Sequence, residues 1–308
     1  EAGADTWLPL EYELNLTYGD DISNMSEYTR RLRDLVRQES ERIISEKPLG
    51  DKECGSTGSH SALDDETFEK IKALRRELHK IPELSGQERR TMEVLKTFLR
   101  EHTSLSVTDR GGWFYALHQE NGAEETVVFR ADMDAIKGAG NIPYHGCGHD
   151  GHSAILAGLC LLTEGRVFQK NLCFLFQPAE ETGEGGNPCS RLLEELGADR
   201  VYGYHNLPGY PLGTAVMRRE TFSCDTVNTP EITDMSRMLF EQEGIPCLEA
   251  AAPFRWSEDF GWYLKKCQGM YFGIGAGEDC PDLHTPDYEF PDEVIRNAVR
   301  CLYLIAEI

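Results

Sequence analysis

Positive charge, paired cysteine spacing and long apolar runs are all scarce in this chain of 308 residues. Lysine and arginine number 31 against 53 aspartates and glutamates, a formal net charge of -22. Nucleic acid and anionic lipid need clustered basic groups to displace their counterions, so neither is expected as a partner. No apolar run approaches the roughly 20 residues that span a bilayer, and no basic-then-apolar leader opens the sequence, so a soluble protein is expected. Ten cysteines fall between Cys54 and Cys301 without a CxxC or regular pairing. A chain of this length with 40% hydrophobic residues can build a core without staples. Reduced, mostly buried thiols and a cytoplasmic location are the expectation.

What is present reads first as organisation. Leu10, Tyr12, Leu14, Leu16 and Tyr18 alternate with polar residues as a half-buried strand requires. Tyr28, Leu32, Leu35, Val36 and Ile43 recur at helical spacing between Ser26 and Ser45. The stretch from Gly55 to Ser61 has the composition of a flexible linker. Three segments follow: a strand-helix piece over 1–54, a linker over 55–62 and a main domain over 63–308. In the main domain, Phe68, Ile71, Leu74 and Leu78 mark a helix that Pro82 stops at Ile81, and a second helix runs from about Gln87 to Arg100. Apolar runs at 113–118, 127–129, 172–176 and 201–204 then alternate with helical patterns at 153–163 and 190–196. The fold class is therefore α/β, with a mixed, largely parallel central sheet and helices on both faces. Ligands in such sheets bind beyond the carboxyl ends of the strands.

Chemistry-bearing residues gather at those ends. Asp132 and Asp134 follow the run at 127–129, Glu180 and Glu181 follow Phe176, and His205 follows Tyr204. Cys147-Gly148-His149-Asp150-Gly151-His152 places a thiol, two imidazoles and a carboxylate around two glycines, a spacing that a loop leading into a helix can turn toward one metal ion. A buried apolar cysteine is the plain alternative for Cys147, and His152 suits support of the helix entry better than ligation. Glu180 and Glu181 would point to opposite sides of an extended backbone, one toward metal and one toward a proton; a solvated acidic turn is the alternative. His205 and His284, taken singly, read as structural, and their standing rises only with the other donors. His60, His79, His102 and His118 lack such neighbours and read as structural or solvent-facing.

These residues resemble the co-catalytic metal amidohydrolases that include aminoacylase, bacterial carboxypeptidases and succinyl-diaminopimelate desuccinylase, nearest the hippurate hydrolase and indole-acetyl-amino-acid hydrolase branch. The resemblance runs through Leu74 to Glu83, Phe129 to Ala135, Cys147 to His152, Gln177 to Glu181, Tyr204-His205, Ser257 to Phe260 and Leu283-His284. It implies two divalent ions held by Cys147, His149, Glu181, His205 and His284, with the thiolate shared, Glu180 as general base, and Asp132, Asp134, Asp150, His152 and Glu258 in support. Zinc suits such a set best by softness, with manganese, cobalt or nickel also possible by family precedent. The implied partner is a small-molecule amide: an N-acyl amino acid or peptide-like substrate, or dipeptides if the protein is an aminopeptidase or carboxypeptidase. Specificity is expected from the lid face and the loops around Tyr144 and Ser257 to Phe260.

One departure stands out. Such proteins carry a smaller lid domain inserted where this chain has only the region near 220–228, and the lid's Gly-Gly-His-Ala signature, whose histidine helps stabilise the oxyanion in relatives, is absent. Residues 10 to 45 resemble the lid's closing strand and helix, placed ahead of the main domain. Three origins fit: a rearranged gene, an engineered permutation or chimera, or a sequence with segments left out between joined flanks, the short stretch Ile136 to Gly140 favouring the last. A binding or regulatory protein that keeps its metals without turnover is the alternative function. Residues 1–50 are expected to mediate a homodimer or dock on the main domain.

Overall fold

The computed structural model describes residues 63–308. The strand at 10–18, the helix at 26–45, the linker and the dimerisation expected of residues 1–50 lie outside the described residues.

Helix α1 (Asp65–His79) starts where Asp64 accepts a 2.7 Å hydrogen bond from the Thr67 amide, satisfying one of the donors a helix start leaves open. It buries Phe68, Ile71, Leu74 and Leu78. Helix α2 (Arg89–His102) buries Met92, Leu95 and Leu99. Strands β1 (Ser106–Asp109), β2 (Phe114–His118) and β3 (Thr126–Asp132) come next. The small ribbon β4 (Ile136–Lys137) and β5 (Pro143–Tyr144) precedes helix α3 (His149–Thr163). Strand β6 (Asn171–Gln177), helix α4 (Gly186–Leu196), strand β7 (Arg200–Pro208) and strand β8 (Ala215–Met217) continue the alternation. The hairpin β9 (Thr221–Ser223) and β10 (Thr226–Val227) leads to helix α5 (Pro230–Gln242). Strand β11 (Cys247–Glu249), helix α6 (Gly261–Leu264), strand β12 (Gln268–Gly277) and helix α7 (Val294–Glu307) complete the chain.

Eight strands form one sheet in the order β1-β2-β6-β3-β7-β12-β8-β11. Its four central strands, β6, β3, β7 and β12, are parallel; β2 runs antiparallel to β6, and β8 antiparallel to β12. A parallel centre must be covered on both faces, and strand alternation divides the side chains between two cores. Val127, Phe129, Ala131, Phe174, Phe176, Tyr202, Tyr204 and Phe272 join the core that includes residues of α1, α3 and α7, whereas Val128, Cys173, Leu175, Val201 and Tyr271 join the core of α4 and α6. Among the described residues nine cysteines are free, and five of them are buried. No described helix is long and apolar enough to cross a membrane.

Two boundaries differ from the sequence reading in ways that matter for the site. Helix α3 starts at His149 rather than near Ser153, because Gly148 turns the chain in the left-handed region, φ 90°, and the polar first turn carries no apolar periodicity. A Cβ at Gly148 would fall 2.5 Å from Asn206 Oδ1. His205 lies inside β7, not beyond it, since pairing with β12 extends from Arg200 to Pro208. At the expected lid position the chain makes only the β9–β10 hairpin. Asn228 closes it: its side-chain amide donates to the Arg218 and Tyr271 carbonyls, and its Oδ1 accepts from the Tyr271 amide.

Phe129 is fully buried and packs between the rings of Phe174 and Tyr202 on the neighbouring strands. Phe129→Ala should cost about 3–5 kcal/mol of unfolding free energy by leaving a cavity, checked by denaturant titration. A loss below about 1 kcal/mol would show that the strand order around β3 is wrong.

Candidate metal centre

The carboxyl ends of β3, β6 and β7 and the start of α3 deliver polar side chains to one buried place. His149 and His205 are buried, and each has one ring nitrogen committed elsewhere: His149 Nδ1 lies 3.1 Å from Asp134 Oδ1, and His205 Nδ1 lies 2.7 Å from the Asn206 carbonyl. Each Nε2 then faces inward, the arrangement that presents a lone pair to a metal. His205 Nε2 is 3.4 Å from Cys147 Sγ, whereas His149 Nε2 is buried with no hydrogen-bond partner.

The expected extended backbone at Glu180 and Glu181 is not what forms. Ala179 sits at φ 53°, and both glutamates occupy a turn that lets them approach the same imidazole, at 3.9 and 3.7 Å from His149 Nε2. Ala179's amide is held by Glu88 Oε1 at 2.8 Å, and Glu181's amide by Asp134 Oδ2 at 3.0 Å. Those bonds hold a strained turn in place. His284, also left-handed at φ 63°, is held by its amide on the Gly146 carbonyl at 2.7 Å, and its Nε2 stands 3.4 Å from Glu181 Oε1.

Two groups of donors therefore meet at one sulfur. Cys147, His149 and His205 offer ligand atoms within 4.8 Å of one another, as do Cys147, Glu181 and His284. Burial pushes the Cys147 thiol well above its usual range, with Glu181 and Glu180 adding to the shift against His149, so a thiolate there requires further positive charge. Orphaned His149 Nε2 and Glu181 Oε1, with a thiol, imidazoles and carboxylates, fit divalent ions of borderline softness.

The other expected residues are committed to protein partners. Asp132 Oδ1 lies 2.6 Å from His152 Nδ1, and His152 Nε2 lies 2.6 Å from Asn206 Oδ1. Asp150 is fully buried behind His149, against His79 Nδ1 at 2.7 Å and Arg75 at 3.5 Å. Burial would raise its pKa, but His145, His79 and Arg75 together hold it at about 2. Glu258 accepts from the Tyr271 hydroxyl and lies with Asp259 beside Glu180.

Arg130, like Asn206 and Glu88, is a residue that sequence reasoning missed. Fully buried, it donates to Asp132 Oδ2 at 2.6 Å, Asp259 Oδ1 at 2.7 Å and Gln177 Oε1 at 2.8 Å, and reaches Glu258 at 3.4 Å. A cation in the apolar run Thr126 to Ala131 was the available signal, because a buried guanidinium must be paired.

The profile of Peptidase family M20/M25/M40 matches residues 128–308, and the chain belongs to that family. An N-acetyldiaminopimelate deacetylase of Priestia megaterium is 32% identical over 169 residues, 50% of this chain and 44% of the relative. One from Exiguobacterium sibiricum is 35% identical over 160 residues, 47% of this chain and 43% of the relative. The chain thus spans about half the length of the curated relatives it matches. Among solved structures, the Bacillus subtilis YXEP protein, described as a dinuclear metal binding peptidase, superposes with TM-score 0.71 at 18% identity, covering 79% of this chain and 98% of its own. An aminobenzoyl-glutamate utilization protein of Klebsiella pneumoniae gives TM-score 0.58 at 15% identity, over 78% and 96%. At those identities the likeness is one of fold.

Arg130→Met removes the charge that Asp132 and Asp259 face. Unfolding free energy should fall by about 3–5 kcal/mol, read by thermal or denaturant unfolding. A variant as stable as wild type would show that the two aspartates do not depend on the guanidinium.

Proposed function

We propose that the chain is a metal-dependent amidohydrolase that cleaves the amide bond of an N-acyl amino acid or small peptide-like substrate. The observation that carries this reading is the pair of donor groups sharing Cys147, with Glu180 standing beside them. Cys147, His149 and His205 would hold one divalent ion and Cys147, Glu181 and His284 a second, zinc being the metal the donor set suits best. When bound, such ions polarise an amide carbonyl and make water a competent nucleophile near neutral pH.

The chain's own residues would do the rest. Glu180 takes the proton from the attacking water and delivers it to the leaving amine. Burial, followed by the charge of Glu258, pushes its pKa well above the usual carboxylate range, which suits a group that must hold a proton between two steps. Glu88 and Asp134, through the amides of Ala179 and Glu181, keep this turn from relaxing. Asp134 and the Asn206 carbonyl orient the imidazoles of His149 and His205. The N-acetyldiaminopimelate deacetylase relatives favour an N-acetyl amino acid as substrate; the hippurate and indole-acetyl branch read from the sequence favours a larger acyl group. Both fall within the same reaction class.

A second reading rests on the β9–β10 hairpin, which stands where an inserted lid is expected: a protein that binds its metals and ligand without turnover. The two readings diverge on Glu180, which metal binding alone does not require. Protein purified without chelator should carry close to two divalent ions per chain. Metal-loaded wild type should hydrolyse members of a panel including N-acetyldiaminopimelate, other N-acetyl amino acids and hippurate. Glu180→Gln should keep the metals and lose hydrolysis by about 10²-fold or more, whereas Glu181→Gln should also lose metal. Equal turnover in wild type and Glu180→Gln would refute the assigned base, and metal-loaded protein inert toward the whole panel would favour the binding reading.

A further inference from the structure

Tyr144 ends β5, and its side chain folds back over the backbone that leads into the metal centre. A Cβ on Gly146 would fall 2.5 Å from its ring carbons and 2.7 Å from its hydroxyl oxygen, and one on Gly138 would fall 2.9 Å from the ring. Both positions have to be bare for the phenol to lie where it does. The residue is half-buried.

Its surroundings belong to one donor group. Cys147 directly follows the glycine under the ring, the His284 amide binds that glycine's carbonyl at 2.7 Å, and Cys147, Glu181 and His284 converge within 4.8 Å. A phenol ordinarily loses its proton only at about pH 10, so at neutral pH the hydroxyl keeps it and can act as a donor. Glu180 shares one cluster with His149 and Glu181 and another with Glu258 and Asp259. A carbonyl seated at the Cys147, Glu181 and His284 group would lie near both the Glu180 base and the segment that carries the phenol.

We propose that Tyr144 is a catalytic residue whose hydroxyl donates a hydrogen bond to the oxygen of the scissile carbonyl as that oxygen gains negative charge. The inference rests on the amidohydrolase reading and deepens it. It supplies an oxyanion donor in a chain that lacks the Gly-Gly-His-Ala signature. The proton stays on the tyrosine throughout, so the contact needs no co-reactant.

Tyr144→Phe keeps the ring on Gly146 and removes only the hydroxyl. In zinc-loaded protein its kcat on the best substrate of the panel should fall by about 10²–10³-fold, with KM changed only a few-fold and metal content unchanged. A second arm needs no turnover: calorimetry with a phosphinate analogue of an N-acyl amino acid, a tetrahedral anion, should show binding weakened by about tenfold or more in the variant. Wild type that turns nothing over but binds the analogue in a Tyr144-dependent way would defeat the hydrolase reading while supporting this contact. Unchanged kcat with equal analogue affinity, no analogue binding to either protein, or loss of metal from Tyr144→Phe would overturn it.

Discussion

Buried negative charge at the carboxyl ends of the central strands is the constraint on which the rest of the structure depends. Asp132, Asp134, Glu258 and Asp259 are all buried there, Cys147 is buried among them, and Glu180 and Glu181 lie at the rim. Ions of one sign cannot share a low-dielectric interior unless positive charge and hydrogen bonds satisfy them. The two sides of the site meet that demand differently. Arg130 lies under Asp132, Glu258 and Asp259, and the Glu181 amide, the Ser85 hydroxyl and His149 Nδ1 satisfy Asp134. Among the described residues no side chain plays Arg130's part around Cys147, and His149 Nε2 and Glu181 Oε1 are left without hydrogen bonds. Protein cations serve one side, and the other has the donor set that divalent ions fit.

That asymmetry explains which parts were legible in the sequence. The fold class was, because apolar runs separated by helical periodicity have few solutions other than a covered parallel sheet. Cys147, His149 and the Glu180–Glu181 pair were visible as local clusters. His205 and His284 were visible only through resemblance, since nothing local distinguishes a ligating histidine from a structural one. Arg130, Asn206 and Glu88 were not singled out, because their partners lie 129, 54 and 91 residues away in the chain and no spacing rule connects them. The turn at Glu180–Glu181 was misread as extended for the same reason. The bond that sustains φ 53° at Ala179 comes from the start of α2, so local sequence could not show it.

The hairpin at 221–227 is the other point where local and distant forces meet. A short connection between β8 and α5 is stable here because the Asn228 side chain ties it to β12 through two hydrogen bonds with the Tyr271 backbone and to the Arg218 carbonyl through a third, and because Phe222 is fully buried against Phe254 and Tyr271. The main domain therefore closes at the position where an inserted lid was expected.

The central claim is that the Cys147 sulfur is shared between two ions. Anomalous diffraction from crystals of the zinc-loaded protein, collected on either side of the zinc edge, tests it most directly. The account predicts two strong peaks, each about 2.3 Å from Cys147 Sγ, one also beside His149 and His205 and the other beside Glu181 and His284. A single peak, or two peaks with Cys147 bound to neither, would contradict it.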